Sequence, residues 1–425
     1  MSDRKRVLVF PCGSEIGLEI ERSLRYSKDF ELVGASSLPD HGRLAYARYI
    51  EGVPFVDDPA FVDHLRDVVE THDIDLVFPA HDSVVLELAR HAADLGATLA
   101  TSPVETCEIA RSKSKTYAAL AGVVRTPAVY DAGRHEFPVF LKPDVGQGSK
   151  GTALVHDEDA LRVALAERAD RIILEYVPGV EYTVDCFTDS DGELRFAQGR
   201  ERMRTVNGIS VQSKPSPDPE FRRIAERINE ALTFRGVWFF QVKRDTGGEL
   251  VLLEVAPRVA GTMALCRMQG VNLPLLAAYE FTGTRTAILQ NRFGVEIDRA
   301  LSTRFVLDLD YDTVYLDFDD ALVVDGAPNP LLLALLYQFR NEGKVVVLLT
   351  KHAGDIHQTL ASHAISERLF DEIVCISHDA EKIEHMKREQ AIFIDDSFSE
   401  RRRVFEALGI PVFDVSEAVE LLAVR

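Results

Sequence analysis

A glycine-rich stretch at residues 140–151 reads Phe-Leu-Lys-Pro-Asp-Val-Gly-Gln-Gly-Ser-Lys-Gly and follows a strand-like run. Gly146, Gly148 and Gly151 allow backbone N–H groups to approach phosphate oxygens closely, and Ser149 adds a hydroxyl group. The Gly-Lys-Ser/Thr order of a Walker A loop is missing. Taken alone, the stretch is explained equally well by an ordinary glycine-rich turn.

Oxygen-bearing side chains on two successive strand-like runs indicate a metal site. Gln241 lies in Phe-Gln-Val-Lys, and Glu254 lies in Leu-Glu-Val-Ala-Pro-Arg. These two side chains are expected on adjacent strands, and hard oxygen ligands that bridge to phosphates are what Mg²⁺ requires. Arg258, four residues after Glu254, could clamp a phosphoryl group during transfer.

Together with Lys113, Lys142 and the strand–turn–strand stretch 173–185, these segments resemble the ATP-grasp superfamily, and within it the carbamoyl-phosphate-synthase-like group. The resemblance covers about residues 1–300. It implies ATP and Mg²⁺ as cofactors, with Mn²⁺ as an alternative ion. The implied ATP-binding residues are Lys113 and Lys142 at the phosphates, Gly146, Gly148, Ser149 and Gly151 in the covering loop, Glu175 and Val177 at the adenine, and Glu181 at the ribose. The implied metal ligands are Gln241 and Glu254, with Arg258 as the transition-state arginine.

The resemblance implies an ATP-dependent carboxylate–amine ligase that acts through an acyl phosphate. An alternative is a kinase that forms an acyl or carbamoyl phosphate and stops there. One position departs from the family's Glu-x-Asn-Pro-Arg pattern, because Ala256 replaces the asparagine that helps to hold a second metal ion. His81 and Asp82 follow a parallel strand and are expected to play a supporting role.

Three arginines at alternate positions, Arg200, Arg202 and Arg204, are candidates for holding an anionic substrate. A solvated strand edge explains the same pattern equally well. The substrates themselves are expected to be a small carboxylate and a small amine.

Paired aspartates end a strand-like run in Val-Tyr-Leu-Asp-Phe-Asp-Asp at residues 314–320. Residues two apart on a strand share a face, so Asp317 and Asp319 could act on one substrate. One carboxylate could attack phosphorus while the other protonates the leaving oxygen. Further on, Thr350 ends a buried strand pattern, and Asp395 and Asp396 end another.

In this order the elements resemble the four motifs of the haloacid dehalogenase (HAD) superfamily, over about residues 311–425. The resemblance implies Asp317 as nucleophile, Asp319 as general acid/base, and Thr350 and Lys382 as groups that stabilise the phosphoryl group. Lys387 is an alternative to Lys382, and Ala321 departs from the family's usual Thr or Val. The implied Mg²⁺ ligands are Asp317, Asp319, Asp395 and Asp396, with a backbone carbonyl near Asp319. The length of the module leaves no room for a large cap. The open site that results favours a bulky or macromolecular phosphate ester, or one presented by a neighbouring domain, and a phosphorylated metabolite is the expected partner. A scaffold or ligand-binding role is the alternative to catalysis.

Strand–helix alternation with short loops must position these groups and predicts parallel sheets at both ends of the chain. Strands are predicted at 6–10, 31–35, 76–78, 314–317, 345–349, 372–375 and 391–394. Helices are predicted at 15–26, 58–71, 83–95, 329–342, 355–363 and 399–408. The middle of the chain reads as α+β, with helices at 104–121 and 159–169 and strands at 171–174, 182–187, 237–242 and 250–254. The predicted fold is therefore a Rossmann-like domain at 1–105, an ATP-grasp domain at 106–300 and a HAD-like Rossmannoid domain at 311–425.

Charge and composition limit the classes of function. The 425 residues carry a formal net charge of −20, which argues against binding to nucleic acid. Because the five cysteines have no metal-ligand or redox spacing and no apolar run is long enough to span a bilayer, we expect a cytoplasmic protein. Related grasp enzymes often dimerise, so a homodimer is a further expectation.

Overall fold

The computed structural model describes residues 4–131, 133, 135–386 and 390–423. The chain forms two compact units, one made of residues up to Leu301 and the other beginning at Ser302. Each unit is built around its own sheets and its own apolar core.

The first unit begins with a five-stranded, all-parallel sheet in the order β3-β2-β1-β4-β5. Its strands form because short apolar runs are buried on both faces, as at Val7–Phe10. The strands are β1 (Lys5–Phe10), β2 (Phe30–Ala35), β3 (Arg48–Ile50), β4 (Leu76–Pro79) and β5 (Thr98–Leu99). The helices are α1 (Glu15–Leu24), α2 (Gly42–Ala45), α3 (Phe61–Thr71) and α4 (Asp82–Arg90). The strand order reverses between β1 and β4, which is where ligands bind in sheets of this kind.

Two helices and a four-stranded antiparallel sheet follow, in the order β6-β9-β7-β8. The helices are α5 (Val104–Arg111), α6 (Lys113–Ala119) and α7 (Glu158–Glu167). The strands are β6 (Val129–Tyr130), β7 (Val139–Pro143), β8 (Ala153–Val155) and β9 (Arg171–Glu175). The single helix predicted at 104–121 is wrong. The helix breaks because the Ser112 side chain turns to cap α6, accepting a hydrogen bond from Lys115 N and donating one to Asp144 Oδ2 at 2.7 Å.

A six-stranded antiparallel sheet completes the first unit, in the order β14-β13-β10-β11-β12-β15. Its strands are β10 (Glu181–Thr188), β11 (Leu194–Val206), β12 (Ile209–Ser216), β13 (Gly236–Arg244), β14 (Leu250–Ala256) and β15 (Ile297–Asp298). The helices are α8 (Glu220–Ala231), α9 (Ala264–Met268) and α10 (Leu273–Phe281). The long β11–β12 hairpin and α8 were not predicted.

One apolar cluster joins the opening sheet to the six-stranded sheet. It contains Val7 and Val9 of β1 together with Val237 and Phe239 of β13 and Met263 beyond β14. This shared core explains why residues up to Leu301 form one compact unit. The predicted boundary between residues 105 and 106 stays a prediction.

The second unit is a five-stranded, all-parallel sheet in the order β20-β19-β16-β21-β22. Its strands are β16 (Thr313–Leu316), β19 (Val345–Thr350), β20 (Glu372–Cys375), β21 (Ala391–Ile394) and β22 (Val412–Phe413), with a small hairpin of β17 (Val323–Val324) and β18 (Ala327–Pro328). The helices are α11 (Pro330–Asn341), α12 (Ile356–Ser362), α13 (Phe398–Leu408) and α14 (Val415–Ala418). The first strand in sequence, β16, is central, so the loops after β16, β19 and β21 emerge side by side. In the part of the chain that the structure describes, no helix is both long and apolar enough to cross a membrane.

Candidate functional sites

A cavity of about 140 Å³ in the first unit, called here the smaller cavity, gathers most of the residues predicted to bind ATP. Its walls come from the glycine-rich loop, the end of β9 and the strands β13 and β14. The predicted residues that line it are Lys113, Lys142, Gly146, Gly148, Ser149, Glu175, Val177, Glu181, Gln241 and Glu254. Gly151 lies outside this wall and shapes the loop instead, with a φ of +78° and its carbonyl oxygen bonded to Arg171 Nε at 2.7 Å.

Two of the lysines that line the smaller cavity, Lys113 and Lys142, are buried. Lys142 Nζ donates to Leu253 O at 2.9 Å, and Lys113 Nζ donates to Gly146 O at 3.1 Å. Burial lowers the pKa of Lys142 to about 8; the Glu254 carboxylate opposes this shift and the Lys113 charge adds to it. Two ammonium groups in the wall of one buried cavity favour an anionic ligand that can neutralise both of them.

Two acids of the smaller cavity already have cationic partners. Both oxygens of Glu175 accept hydrogen bonds from Arg125 Nη2, at 2.7 and 2.9 Å, so the backbone of the 175–177 segment is the part left to recognise a ligand. Glu181 pairs with Arg202 Nε at 2.8 Å. Sequence reasoning missed Arg125, because no local pattern connects it to Glu175, which lies fifty positions later in the chain.

The tip of the β11–β12 hairpin packs against the glycine-rich loop. A Cβ atom on Gly208 would lie 2.4 Å from Gly148 C and 2.7 Å from Ser149 Oγ. Gly208 also has a φ of +75°, which L-residues rarely adopt. Its carbonyl oxygen accepts a hydrogen bond from Arg202 Nη2 at 2.7 Å. The hairpin therefore fixes the loop at its two central residues.

We expect Gly208→Ala to raise the KM for ATP about tenfold, since overpacking against backbone costs about 1–3 kcal/mol. Gly192→Ala is the matched control, because Gly192 also sits in a hairpin turn, with a φ of +82°, but has no described heavy atom within 4 Å of its added Cβ. Steady-state kinetics and calorimetric titration with ADP measure the effect. Equal changes in both variants would mean that backbone strain alone matters and that the hairpin does not hold the loop.

A second cavity of about 460 Å³, called here the larger cavity, adjoins the smaller one. Residues common to both walls include Lys113, Gly146, Gly148, Gln241 and Glu254. The larger cavity also reaches the carboxyl ends of β1 and β4, through segments 14–16 and 80–82. The two predicted metal ligands therefore lie on the boundary between the cavities. They are on the adjacent strands β13 and β14, as predicted from the sequence, and the structure places them directly opposite each other.

The larger cavity is basic although the chain as a whole is strongly acidic. Its acidic lining residues are Glu15, Asp82 and Glu254, and its basic ones are Arg111, Lys113, Lys150, Arg200, Arg202, Arg258 and Arg299. The net charge of the chain is −20. A local excess of positive charge in a concave site favours anionic small molecules. Sequence reasoning missed Arg111 and Arg299, which stand alone in their segments.

Arg258 is held rigidly by Asp82, which lies 176 residues earlier at the start of α4. Arg258 Nε and Nη2 donate to the two Asp82 oxygens, at 2.5 and 2.8 Å, and Nη1 donates to Val259 O at 3.0 Å. Burial raises the pKa of Asp82, but the Arg258 charge outweighs it and holds this pKa below its ordinary value. Asp82 thus orients the arginine. His81 lines the same cavity and caps α4, accepting from Ser83 N.

The three arginines that were candidates for binding a substrate do not all lie in the same cavity. Arg200 and Arg202 line the larger cavity. Arg204 lies outside both cavities and pairs with Asp298 at 2.5 Å. Alternation along a strand would have placed all three on one face, but the β11–β12 register shifts between Arg202 and Arg204. This bulge turns Arg204 away from the site.

Ala256, which departs from the family pattern, is buried and lines the larger cavity two residues after Glu254. Its methyl group cannot ligate a metal ion. Gln241 and Glu254 offer two side-chain oxygen ligands at the cavity boundary, which fits an ion that takes its other ligands from phosphates and water.

In the second unit, the loops after three neighbouring strands bring the predicted acids together. Asp317 follows β16, Thr350 ends β19, and Asp395 and Asp396 follow β21. Asp317, Asp395 and Asp396 can each offer an oxygen atom within 4.8 Å of the other two. Three carboxylates at this spacing fit a hard divalent cation such as Mg²⁺.

Lys382 connects two of these acids. Its side chain is 2% exposed, and Nζ lies 2.9 Å from Asp317 Oδ1 and 2.6 Å from Asp395 Oδ2. Burial and the Asp317 charge raise the pKa of Asp395 to about 6, although Lys382 opposes the shift. Burial would lower the pKa of Lys382, but the two carboxylates outweigh it and raise this pKa. The alternative lysine, Lys387, lies outside the described residues.

The Asp319 carboxylate does not join this cluster. It is half-exposed and bonds His352 Nδ1 at 2.9 and 3.1 Å, and His352 Nε2 in turn lies 2.9 Å from Thr359 Oγ1. Asp319 was expected to be a metal ligand, but it is not among the described acids that converge on the candidate metal site, because its carboxylate is directed to His352 instead. Sequence reasoning missed His352, although its position two residues after Thr350 was a usable signal.

Comparison with known proteins gives one match to a family model. Residues 167–300 match a family described as ATP-grasp in the biosynthetic pathway with Ter operon. The matched part comprises β9, the six-stranded sheet and the two predicted metal ligands of the first unit, Gln241 and Glu254.

Among curated proteins, the chain is similar to the carbamoyl phosphate synthase large chain of Clostridium beijerinckii, at 26% identity over 182 residues. This match covers 39% of the chain and 17% of the relative. The chain thus spans about a sixth of the length of that relative.

Solved structures resemble about two thirds of the chain. The biotin carboxylase domain of Hydrogenobacter thermophilus 2-oxoglutarate carboxylase, in complex with MgADP, ADP and bicarbonate, has a TM-score of 0.58 at 17% identity, over 67% of this chain and 71% of that one. An L-amino acid ligase from Bacillus licheniformis has a TM-score of 0.54 at 17% identity, over 66% and 74%. The chain therefore has an ATP-grasp-like fold over about two thirds of its length.

Proposed function

We propose that the first unit is an ATP-dependent ligase that joins a carboxylate to an amine through an acyl phosphate. The observation that carries this proposal is the pair of adjoining cavities, which meet at Gln241 and Glu254. One cavity has the residue set expected for ATP and the other is basic, so a nucleotide and an anionic acid can meet where the metal ligands lie.

The proposed reaction has two steps. A carboxylate oxygen of the acid attacks the γ-phosphorus of ATP, the bond from phosphorus to the bridging oxygen breaks, and ADP leaves. The amine then attacks the acyl carbon, and the bond to the phosphate oxygen breaks, releasing inorganic phosphate and a proton. Activation is needed because a free carboxylate would have to expel oxide.

The residues of the chain mainly position reactants and neutralise charge in this scheme. Lys113 and Lys142 hold the phosphates, and the loop fixed by Gly208 covers them. Arg258, oriented by Asp82, faces the charge that develops on the transferring group. Gln241 and Glu254 would hold a Mg²⁺ ion, which would supply positive charge to neutralise the transferring phosphoryl group. These roles agree with the ATP-grasp-like fold and with the match at residues 167–300.

The test is ADP release by the full chain with ATP, Mg²⁺ and a panel of acids, using hydroxylamine to trap acyl phosphates as hydroxamates. We expect ADP release to depend on the acid and hydroxamate to form in equal amount. Release that is independent of every acid would contradict the proposal. Product analysis with natural amines in place of hydroxylamine separates a ligase from a kinase that stops at the acyl phosphate.

A second activity is favoured by one observation in the second unit, namely that Asp317, Asp395 and Lys382 converge at the ends of adjacent parallel strands. We propose that this unit has a HAD-like fold and is an Mg²⁺-dependent phosphatase. In this scheme Asp317 attacks the phosphorus of a phosphate ester, the ester oxygen leaves with a proton from Asp319, and water then releases phosphate from Asp317. His352 orients Asp319, and Lys382 neutralises the phosphoryl oxygens. A non-catalytic scaffold is the alternative.

A further inference from the structure

One guanidinium group that lines the larger cavity is almost completely buried, and its hydrogen bonding is incomplete among the residues that the structure describes. Arg200 is 1% exposed. Its Nε and Nη2 atoms donate to Asp185, at 2.7 and 3.2 Å. Its Nη1 atom has no hydrogen-bond partner among the residues that the structure describes. A buried donor in this state lacks the hydrogen bond that water would give it, so a ligand that accepts from it gains more than it would from a solvated donor.

The other arginines of this cavity differ from Arg200. Arg258 uses all three of its donor nitrogens, on Asp82 and Val259 O. Arg202 Nε also forms no hydrogen bond with a described residue, but it lies 2.8 Å from Glu181 Oε1, so its charge already has a partner, and Nη2 donates to Gly208 O at 2.7 Å. Arg299 pairs with Glu15 and remains partly exposed, so water can reach it. Arg200 is therefore the guanidinium best placed to gain a new partner from a ligand.

The sheet register places Arg200 at a defined distance from the reaction site. Arg200 lies opposite Thr183, Thr183 lies opposite Gln241, and Gln241 lies opposite Glu254. These four residues form one row across four strands, and all four line the larger cavity. With strands about 4.8 Å apart, the Arg200 backbone lies about 10 Å from that of Gln241. One molecule can therefore span the interval from the metal ligands to the Arg200 side chain.

We infer that the acid activated by the first unit carries a second anionic group, a carboxylate or a phosphate, which binds Arg200 Nη1 while the reacting carboxylate lies at Gln241 and Glu254. This inference rests on the proposed ligase function. The pairing with Asp185 fixes the guanidinium plane, so the remaining donor is preorganised for an anion.

The inference is tested on the full chain with pairs of acids that differ only in the second group. The pairs are succinate and succinamate, glutarate and glutaramate, and 3-phosphoglycerate and glycerate, with bicarbonate as a single-anion reference. Hydroxamate formation gives kcat/KM for each acid; for bicarbonate, acid-dependent ADP release is followed instead. Because a hydrogen bond between charged groups contributes about 1.5–3 kcal/mol, we expect the dianionic member of at least one pair to be preferred about tenfold to a hundredfold. A preference for the dianion in either of the first two pairs would identify the second group as a carboxylate, and a preference in the third pair would identify it as a phosphate.

Arg200→Lys is the decisive variant, because lysine keeps the charge beside Asp185 but cannot place a second donor at the Nη1 position. We expect its preference for dianionic acids to fall below about threefold. The ADP dissociation constant should stay unchanged, because Arg200 lines the larger cavity and not the smaller one. Arg195→Lys, on the same strand and facing Asp189 at the surface, is the matched control. Should Arg200→Lys fail to fold, the paired acids on the native chain still decide the class of substrate.

The outcomes separate the inference from the proposed function. Equal turnover of both members of every pair, or turnover of bicarbonate alone, would overturn the inference and leave ATP-dependent activation intact. A dianion preference that persists in Arg200→Lys would remove Arg200 from the recognition. Turnover with none of the acids would count against the ligase function itself, and the inference would fall with it.

Discussion

Replacement of Lys142 by methionine is expected to lower kcat/KM for ATP turnover by about a hundredfold to a thousandfold, the usual effect of removing one preorganised charge from a phosphoryl-transfer site. Lys142 lies in the smaller cavity and is fixed by Leu253 O. Methionine has a similar length and suits a buried position, so the fold should persist. Acid-dependent ADP release measures the loss.

The stability of Lys142→Met gives an independent readout. The folded pKa of Lys142, about 8, is lower than the ordinary value of 10.5, so below pH 8 the folded protein holds a proton on a buried group at a cost. The variant should therefore melt at or above the native temperature below pH 8. The stability that the variant gains over the native chain should shrink between pH 8 and 10.5. In this range Lys142 is neutral in the folded native chain but still protonated in the unfolded chain, so the native protein becomes more stable as the pH rises. Reduced activity together with unreduced stability separates a functional role from a structural one.

Lys115→Met is the matched control for this prediction, since Lys115 lies on the same helix as Lys113 and is exposed. Its ADP release should stay within about twofold of the native chain. ADP release by Lys142→Met within threefold of the native rate would contradict the nucleotide site and, with it, the proposed ligase.

Asp317→Asn is expected to reduce Mg²⁺-dependent hydrolysis of p-nitrophenyl phosphate by about a thousandfold or more, because an amide is a poor nucleophile towards phosphorus. Asparagine has almost the same shape as aspartate, and Lys382 keeps its 2.6 Å contact with Asp395. The site therefore loses the attacking oxygen while much of its charge pairing remains. Addition of EDTA should abolish the native activity as well.

Asp320→Asn controls for the general effect of removing a carboxylate beside β16. Asp320 is exposed and has a φ of +56°, a conformation that asparagine tolerates well. Its hydrolysis rate should match the native rate. If the native chain lacks Mg²⁺-dependent hydrolysis, or if Asp317→Asn retains it, the scaffold alternative is favoured and Asp317 is not a nucleophile.

In both units the side chains that contact the proposed reactive groups come from distant parts of the sequence. Asp82 fixes Arg258 across 176 positions, and His352 fixes Asp319 across 33. Asp82 and His352 were not assigned these partners from the sequence. A short motif reveals a reactive group, because chemistry restricts its residue type, whereas many residue types at many positions can support it.

The sequence by itself determined the position of about half of the strands, since runs such as 345–349 and 391–394 are apolar over the length of a short strand and are bounded by polar residues. It also determined that Gln241 and Glu254 lie on paired strands, because a short turn joins the two runs; their exact register depends on a shift between Gln241 and Val242 that the sequence did not reveal. The resemblance to known families pointed to the residues that line the smaller cavity. These features depend on neighbours within a few residues, which is the range over which periodicity carries information.

Only the tertiary structure decided which charges face the cavities. A register shift after Arg202 separated Arg204 from the larger cavity, and the pairing with Asp185 left Arg200 Nη1 without a hydrogen-bond partner among the described residues. Packing of the hairpin on the glycine-rich loop fixed the role of Gly208. Each of these outcomes depends on differences of a few ångströms between strands far apart in the chain. Local sequence patterns do not encode such distances, because burial and ion pairing are settled only when the whole sheet is assembled.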